Sequence, residues 1–108
     1  ETQIVNRARQ MAKRLSREFS KTALRKFHTI LVTCIKEKDL RVSLNRARIQ
    51  LAYFIGRRGG RTERELFNLL DPALEKLAGM KAEEARKNIH KVRLFIDALV
   101  AFAVFYGR

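Results

Sequence analysis

The feature that most constrains the fold is an apolar run near the C-terminus, covering residues 94–106. These thirteen residues include one charged side chain, Asp97, and helical spacing places apolar side chains on every face. A helix that is apolar all round must be buried all round, so it should form the axis of a bundle or share its outer face with a partner. Thirteen residues fall short of the roughly 20 that cross a bilayer, so no membrane partner is expected. Asp97 follows Arg93 by four residues, which predicts a helix-supporting ion pair.

The rest of the chain is also predicted to be helical. Proline occurs once and glycine five times, and strand-like runs bounded by turn residues do not appear. We therefore predict an all-α, single-domain bundle of about five helices over residues 1–108, ending in a long apolar helix. The predicted helices cover 1–17, 21 to about 37, 41 or 42 to 57, 62–77, and 81 or 82 onward.

Local signals refine these helix boundaries. Ser20 stands at an N-cap position before the second helix. Thr62, with Glu65 three residues later, predicts a capping box at the start of the fourth helix. Pro72 lies inside that helix and predicts a kink or a restart there.

Positive charge is unevenly distributed along the chain. The net charge is +13, with 24 Lys and Arg against 11 Asp and Glu, and 15 of the 24 basic residues are Arg. Residues 1–61 carry 16 basic and 4 acidic side chains, whereas residues 62–108 carry 8 and 7. An excess of arginine favours phosphate as the partner, because the guanidinium fork matches pairs of phosphate oxygens. The N-terminal half is therefore predicted to bind nucleic acid.

Basic and aromatic side chains of the second and third helices form the candidate phosphate-binding surface. On the third helix, spacings of four, three and four residues give a continuous stripe: Arg46, Gln50, Tyr53 and Arg57. A cationic glycine-containing segment, residues 56–61, follows it and is either a ligand-binding loop, a helix stop, or both. The predicted contacts to a phosphate backbone are Lys21, Arg25, Lys26, Arg46, Arg57, Arg58 and Arg61, with Tyr53 as a stacking or positioning residue or as a half-buried one.

Motifs typical of enzymes, cofactor sites and metal sites do not occur. His28 and His90 have no carboxylate pair or cysteine near them in the sequence, so a packing or surface role is expected for both. Cys34 is the single cysteine, which excludes a disulfide framework, and it lies on the predicted core face as a small buried hydrophobe. We predict no catalytic residue, no metal and no cofactor, and a reducing, cytoplasmic setting.

Three segments, in this order and with this separation, resemble one known family. They are SKTALRKF at 20–27, LAYFIGR at 51–57 and FIDALVAFAVFYG at 95–107. Together they are similar to the Csm small subunit, the small helical subunit of type III-A CRISPR effector complexes. The resemblance covers about four fifths of the chain.

This resemblance implies a function in antiviral defence. It implies an all-α, non-catalytic subunit present in several copies beside the other effector-complex subunits, with contacts to the backbones of guide RNA and target RNA. Cutting of the target would belong to neighbouring subunits. A surface that ignores base sequence suits a system in which base pairing supplies the specificity.

Two other functions also fit the sequence. A helical DNA-binding transcriptional regulator would place the third helix in a major groove, although the stripe lies in the middle and C-terminal part of that helix rather than at its start. An adapter for an acidic protein would use the same positive charge and would have little affinity for nucleic acid.

Overall fold

The apolar C-terminal segment forms the helix on which the others are assembled. The computed structural model describes residues 1–15, 17–18 and 20–107, with all of their side chains except that of Arg58. Within this part of the chain there are five α-helices and no strand: α1 (Thr2–Leu15), α2 (Lys21–Lys36), α3 (Leu40–Arg58), α4 (Arg61–Ala78) and α5 (Ala82–Tyr106). The predicted all-α, single-domain bundle is confirmed, and the predicted boundaries fall within two residues of these.

α5 is the central helix because it contacts each of the other four. Its buried line consists of Ala85, Ile89, Val92, Ile96, Leu99 and Ala103. α1 runs parallel to it: Glu1 lies 3.1 Å from His90 at one end, and Arg9 donates a hydrogen bond of 2.8 Å to the Tyr106 hydroxyl at the other. The axial position predicted from the apolar run is thus correct.

At its C-terminal end this helix is not covered on every side within the chain, which leaves the alternative that its outer face is shared with a partner. Val104 is 44% exposed and Phe105 is 70% exposed. Each residue turns about 100° around a helix, so these two side chains point away from the buried line that passes through Ala103. None of the helices in the described residues is long and apolar enough to span a membrane.

α2 and α3 form an antiparallel hairpin. Next to the turn, the Ser43 hydroxyl donates a hydrogen bond of 3.0 Å to the Cys34 carbonyl, and further along Phe27 packs edge-on against Phe54 at 6.4 Å. The N-terminal half of α2 therefore lies beside the C-terminal half of α3. The predicted cap at Ser20 is confirmed, because its Oγ accepts the Ala23 amide N–H at 3.2 Å.

Cys34 lies inside this hairpin, as predicted from its position on the core face. It is 5% exposed, and its thiol donates a weak hydrogen bond of 3.4 Å to the Ser43 Oγ. Burial raises the pKa of the thiol above its ordinary value, so the neutral form is favoured. The side chain packs as a small hydrophobe.

The start of α4 differs from the prediction. The helix begins at Arg61, and Glu63 rather than Glu65 completes the cap: its carboxylate accepts the Gly60 amide N–H at 2.7 Å. Thr62, predicted as the N-cap, is instead buried within the first turn, where its hydroxyl donates to Glu63. The cap lies two residues earlier because α3 and α4 are separated by Gly59 and Gly60 alone.

α4 continues through Pro72 as one helix, so the predicted restart does not occur. Proline lacks the N–H that would bond the carbonyl four residues earlier, which belongs to Asn68. Asn68 lies at an exposed position, where water can satisfy that carbonyl.

Candidate nucleic-acid interface

The stripe predicted on α3 runs along the solvent side of its contact with α2. Ser43 and Phe54 mark the line of α3 that faces α2. Successive residues of an α-helix are rotated by about 100° around its axis, so each residue of the stripe lies within about 90° of the line that faces α2. Arg48 lies outside this angular range and faces α4. The members of the stripe, all exposed, are Arg46, Gln50, Tyr53 and Arg57.

Tyr53 and Arg57 form a preorganised pair on this stripe. Tyr53 is 64% exposed, so the half-buried alternative does not hold. Arg57 Nη1 donates a hydrogen bond of 2.8 Å to the Tyr53 hydroxyl, and the guanidinium carbon lies 5.5 Å from the ring centroid. A cation held over an aromatic face keeps its remaining donors available for an anion. Arg46 lies eleven residues before Arg57, about 16 Å along the helix axis.

The basic residues of α2 divide between the two sides of that helix. His28 faces α5, because it contacts Asp97, and Cys34 faces α3. On the helical wheel, Lys26 lies about 80° from Cys34 and about 160° from His28, which places it on the α3 side. Lys21 and Arg25 lie on the other side and line a small cleft with Val104 of α5. The structure thus brings Lys26 near the α3 stripe and sets the other two apart.

The predicted cationic loop is shorter than the sequence indicated. Arg57 and Arg58 belong to α3, Arg61 begins α4, and two glycines alone connect the helices. A Cβ on Gly59 would lie 2.7 Å from the Ile55 carbonyl oxygen, so close packing at the end of α3 explains this glycine. The segment is a helix stop. The side chain of Arg58 lies outside the described residues.

Arg61 lies in a cleft with two arginines that are not among the predicted phosphate contacts. Arg14 of α1 and Arg64 of α4 line the same cleft beside the two glycines. Arg64 follows Arg61 by one helical turn, a spacing that could have indicated it. Arg14 could not have been placed there from the sequence, because nothing local shows that the end of α1 approaches the start of α4.

The Lys and Arg side chains fall into two groups, those with a carboxylate within ion-pair distance and those without one. Within the described residues, no Asp or Glu lies within the 4.0 Å ion-pair distance of any cation predicted to contact phosphate. These cations are all exposed: Lys21, Arg25, Lys26, Arg46, Arg57 and Arg61. The other group has internal partners, and Arg48 is the clearest case, with its Nε 2.7 Å from Asp71 Oδ1. Hydrogen bonding to Asp71 raises the pKa of Arg48.

Asp97 has a second partner that sequence spacing could not reveal. The predicted pair with Arg93 is present at 3.0 Å, and His28 Nε2 lies 2.7 Å from the other carboxylate oxygen of Asp97. The two helices meet here although 69 residues separate the two side chains. The contact between His28 and Asp97 therefore joins α2 to α5.

In the part of the chain that the structure describes, no cluster of three or more His, Cys, Asp or Glu is placed to hold a metal ion.

The family model described as Csm2 Type III-A matches residues 1–108, the whole of this chain. Neither a curated protein nor a solved structure matches it. The five-helix fold and the three segments that resemble the family lie within the matched range. The chain therefore belongs to the Csm2 family of type III-A CRISPR systems and is a Csm small subunit.

Proposed function

We propose that this subunit binds the backbones of guide RNA and target RNA, without sequence preference, through the exposed cations of α2, α3 and the start of α4. It acts in the cytoplasm, in several copies that associate with one another and with the other effector subunits, in antiviral defence. It has no catalytic activity of its own and needs no cofactor. The proposed RNA-contacting residues are Lys21, Arg25, Lys26, Arg46, Tyr53, Arg57, Arg58 and Arg61.

The observation that carries this proposal is the exposed Tyr53–Arg57 pair on the α3 stripe, whose two arginines have no carboxylate of the described residues within ion-pair distance. Exposed cations close to one another concentrate positive potential at the surface, which attracts an external polyanion. The preorganised guanidinium offers paired donors to a phosphate, and the exposed ring offers a face to a base. Both interactions are indifferent to base identity.

Binding without sequence preference suits a guided complex. The guide pairs with target strands of any sequence, and hydrogen bonds to base edges would restrict the targets that the complex accepts. Arginine on phosphate imposes no such restriction.

The test is binding of the purified subunit to two single-stranded RNAs of unrelated sequence and to a DNA duplex, each over a salt series. We expect equal affinities for the two RNAs, weaker binding to the duplex, and a linear fall of log K with log salt. The variant Arg57→Ala with Arg58→Ala should weaken both RNAs equally and reduce the salt slope by about 1.4, or roughly 0.7 for each phosphate that the variant no longer neutralises.

Other outcomes would overturn the proposal. Tight binding to one DNA duplex over random competitors would favour the transcriptional regulator. Negligible binding to every nucleic acid at physiological salt would favour an adapter for an acidic protein. Unchanged RNA binding in the double variant would remove these two arginines from the interface.

A further inference from the structure

A large apolar groove lies between α1, α4 and α5, and none of the described residues of α2 or α3 lines it. Its volume is about 830 Å³. Leu69 is 49% exposed on its α4 wall. The apolar lining consists of Ile4, Met11, Leu69, Leu70, Val92 and Phe95.

Cations border this groove. Arg7 and Arg14 of α1 and Lys91 of α5 line it together with the apolar residues. One carboxylate, Glu65, is also present, and it is already paired with Arg14 at 2.8 Å. The groove therefore combines an apolar floor with a rim of positive potential, which is complementary to an apolar segment flanked by acidic residues.

The dimensions of the groove suit a helix. Its α1 wall extends from Ile4 to Arg14, ten residues or about 15 Å. Its α4 wall extends from Glu65 to Ala73, about 12 Å. An amphipathic helix of two to three turns has this length, and it would place apolar anchors at i, i+3 or i+4, and i+7 along the floor.

We propose that this groove receives an amphipathic helix with acidic flanks that belongs to another subunit of the effector complex. Its apolar anchors pack on Leu69, Phe95 and their neighbours, and its carboxylates pair with Arg7 and Lys91 on the rim. The inference rests on membership of the complex and does not depend on RNA binding by the α2–α3 surface.

RNA and a second copy of this chain fit the groove less well. The floor is apolar, and it offers a phosphate backbone no partner beyond the rim. Two of the exposed apolar side chains that a second copy could insert have cations beside them: Val104 shares its cleft with Lys21 and Arg25, and Tyr53 carries Arg57. Insertion of either would bring positive charge against a positive rim.

The experiment is photo-crosslinking in the complex reconstituted from its purified subunits and guide RNA. A photo-reactive phenylalanine analogue replaces Leu69 in the groove or, as the matched control, Ile49, which is 70% exposed on α3. Mass spectrometry identifies the attached peptide. We expect position 69 to join a segment of another subunit that has apolar residues at helical spacing and Asp or Glu beside them. Position 49 should not join that segment.

Charge reversal on the rim tests the same contact without touching the apolar packing. Arg7→Glu with Lys91→Glu should reduce the adduct by about tenfold or more, whereas Lys76→Glu with Lys81→Glu, equal in charge change but outside the groove, should leave its yield unchanged. Thermal melts of both double variants should match the parent, because all four side chains are exposed.

Three results would overturn the proposal: an adduct with RNA, an adduct with another copy of this chain, or no adduct in the assembled complex. Arg57→Ala separates this test from that of the proposed function. That variant should lose affinity for RNA in the isolated subunit and retain the adduct at position 69. A subunit that binds no RNA but gives the expected adduct would reject the RNA interface and support the docking groove.

Discussion

Arginines on two faces of the same helix, α3, have different surroundings. Arg48 faces α4, where its guanidinium contacts Asp71 through two nitrogens and also lies 3.5 Å from Glu75. Arg46, two residues earlier, is exposed beside α2, and no carboxylate of the described residues lies within ion-pair distance. The first has a structural role within the protein, and the second is available to a ligand. Counts of charge along a sequence cannot make this distinction, because it depends on which helix each face meets.

The largest expected effect comes from removing cations on the α2–α3 face. Lys26→Ala, Arg46→Ala and Arg57→Ala together should weaken binding to single-stranded RNA by about 100-fold at low salt, at roughly 1 kcal/mol for each charge-assisted contact. The salt slope should fall by about 2. Fluorescence anisotropy over a salt series measures both quantities.

A control of equal charge separates the surface from the total charge. Lys76→Ala, Lys81→Ala and Lys87→Ala also remove three positive charges, from exposed positions on α4, at the N-cap of α5 and within α5. These should weaken RNA binding only slightly. Equal losses in the two triple variants would show that net charge, and not the α2–α3 face, governs affinity.

Arg48→Ala should lower stability without affecting RNA binding, whereas Arg46→Ala should weaken RNA binding without affecting stability. Arg48→Ala leaves Asp71 half-buried without its partner and should lower the free energy of unfolding by about 1–2 kcal/mol, with RNA affinity unchanged. Arg46→Ala should leave the free energy of unfolding within about 0.5 kcal/mol and weaken RNA binding. Urea unfolding and anisotropy on both variants provide the comparison, and a loss of RNA affinity in Arg48→Ala alone would reverse the assignment.

The interior of the α2–α3 hairpin should make stability depend on pH in the alkaline range. Burial raises the pKa of Cys34 above its ordinary 9.0, so in this range the folded state holds its proton more firmly than the unfolded state. Stability contributed by this thiol is complete below pH 9 and declines as pH rises, by at most about 1.4 kcal/mol per pH unit. Urea unfolding at pH 7 and pH 10 should show a steeper decline in the parent than in Cys34→Ala. Equal declines in the free energy of unfolding for the parent and for Cys34→Ala would mean that folding does not raise the pKa of this thiol.

The smallest effect is expected from the Tyr53 hydroxyl. Tyr53→Phe removes the 2.8 Å hydrogen bond to Arg57 and retains the ring beneath the guanidinium, so RNA affinity should fall only about twofold. Tyr53→Ala also removes the stacking surface and should cost about tenfold. Similar affinities for the two variants would mean that the ring does not contact RNA bases.

Helical periodicity was sufficient to predict most of the fold. The apolar run predicted the axial α5, and the caps and spacings located the other helices because each of these signals is local. The prediction did not locate the exposed end of α5, because apolar composition does not show that Val104 and Phe105 point away from the buried line. It also failed at the cap of α4, where two glycines close the connection earlier than the Thr62 pattern indicated.

The site was predictable in its local parts and not in its tertiary ones. The row from Arg46 to Arg57 follows from spacing within one helix, and its members do share one exposed face. The contact of His28 with Asp97, the approach of Arg14 to Arg61, and the groove around Leu69 each depend on helices distant in sequence. Sequence patterns within a helix carry no information on such contacts.

The parallel packing of α1 on α5 has a consequence for the order of folding during synthesis. Of these five helices, the first to be synthesised has as its main partner the last, with Arg9 and Tyr106 in contact across 97 positions. At about 5–20 residues per second, the ribosome needs several seconds to supply that partner. Throughout this interval the apolar stripe of α1 has no docking surface, although the α2–α3 hairpin can already form from neighbouring segments. Among these helices, the cationic α2–α3 hairpin therefore forms first and α1 docks last.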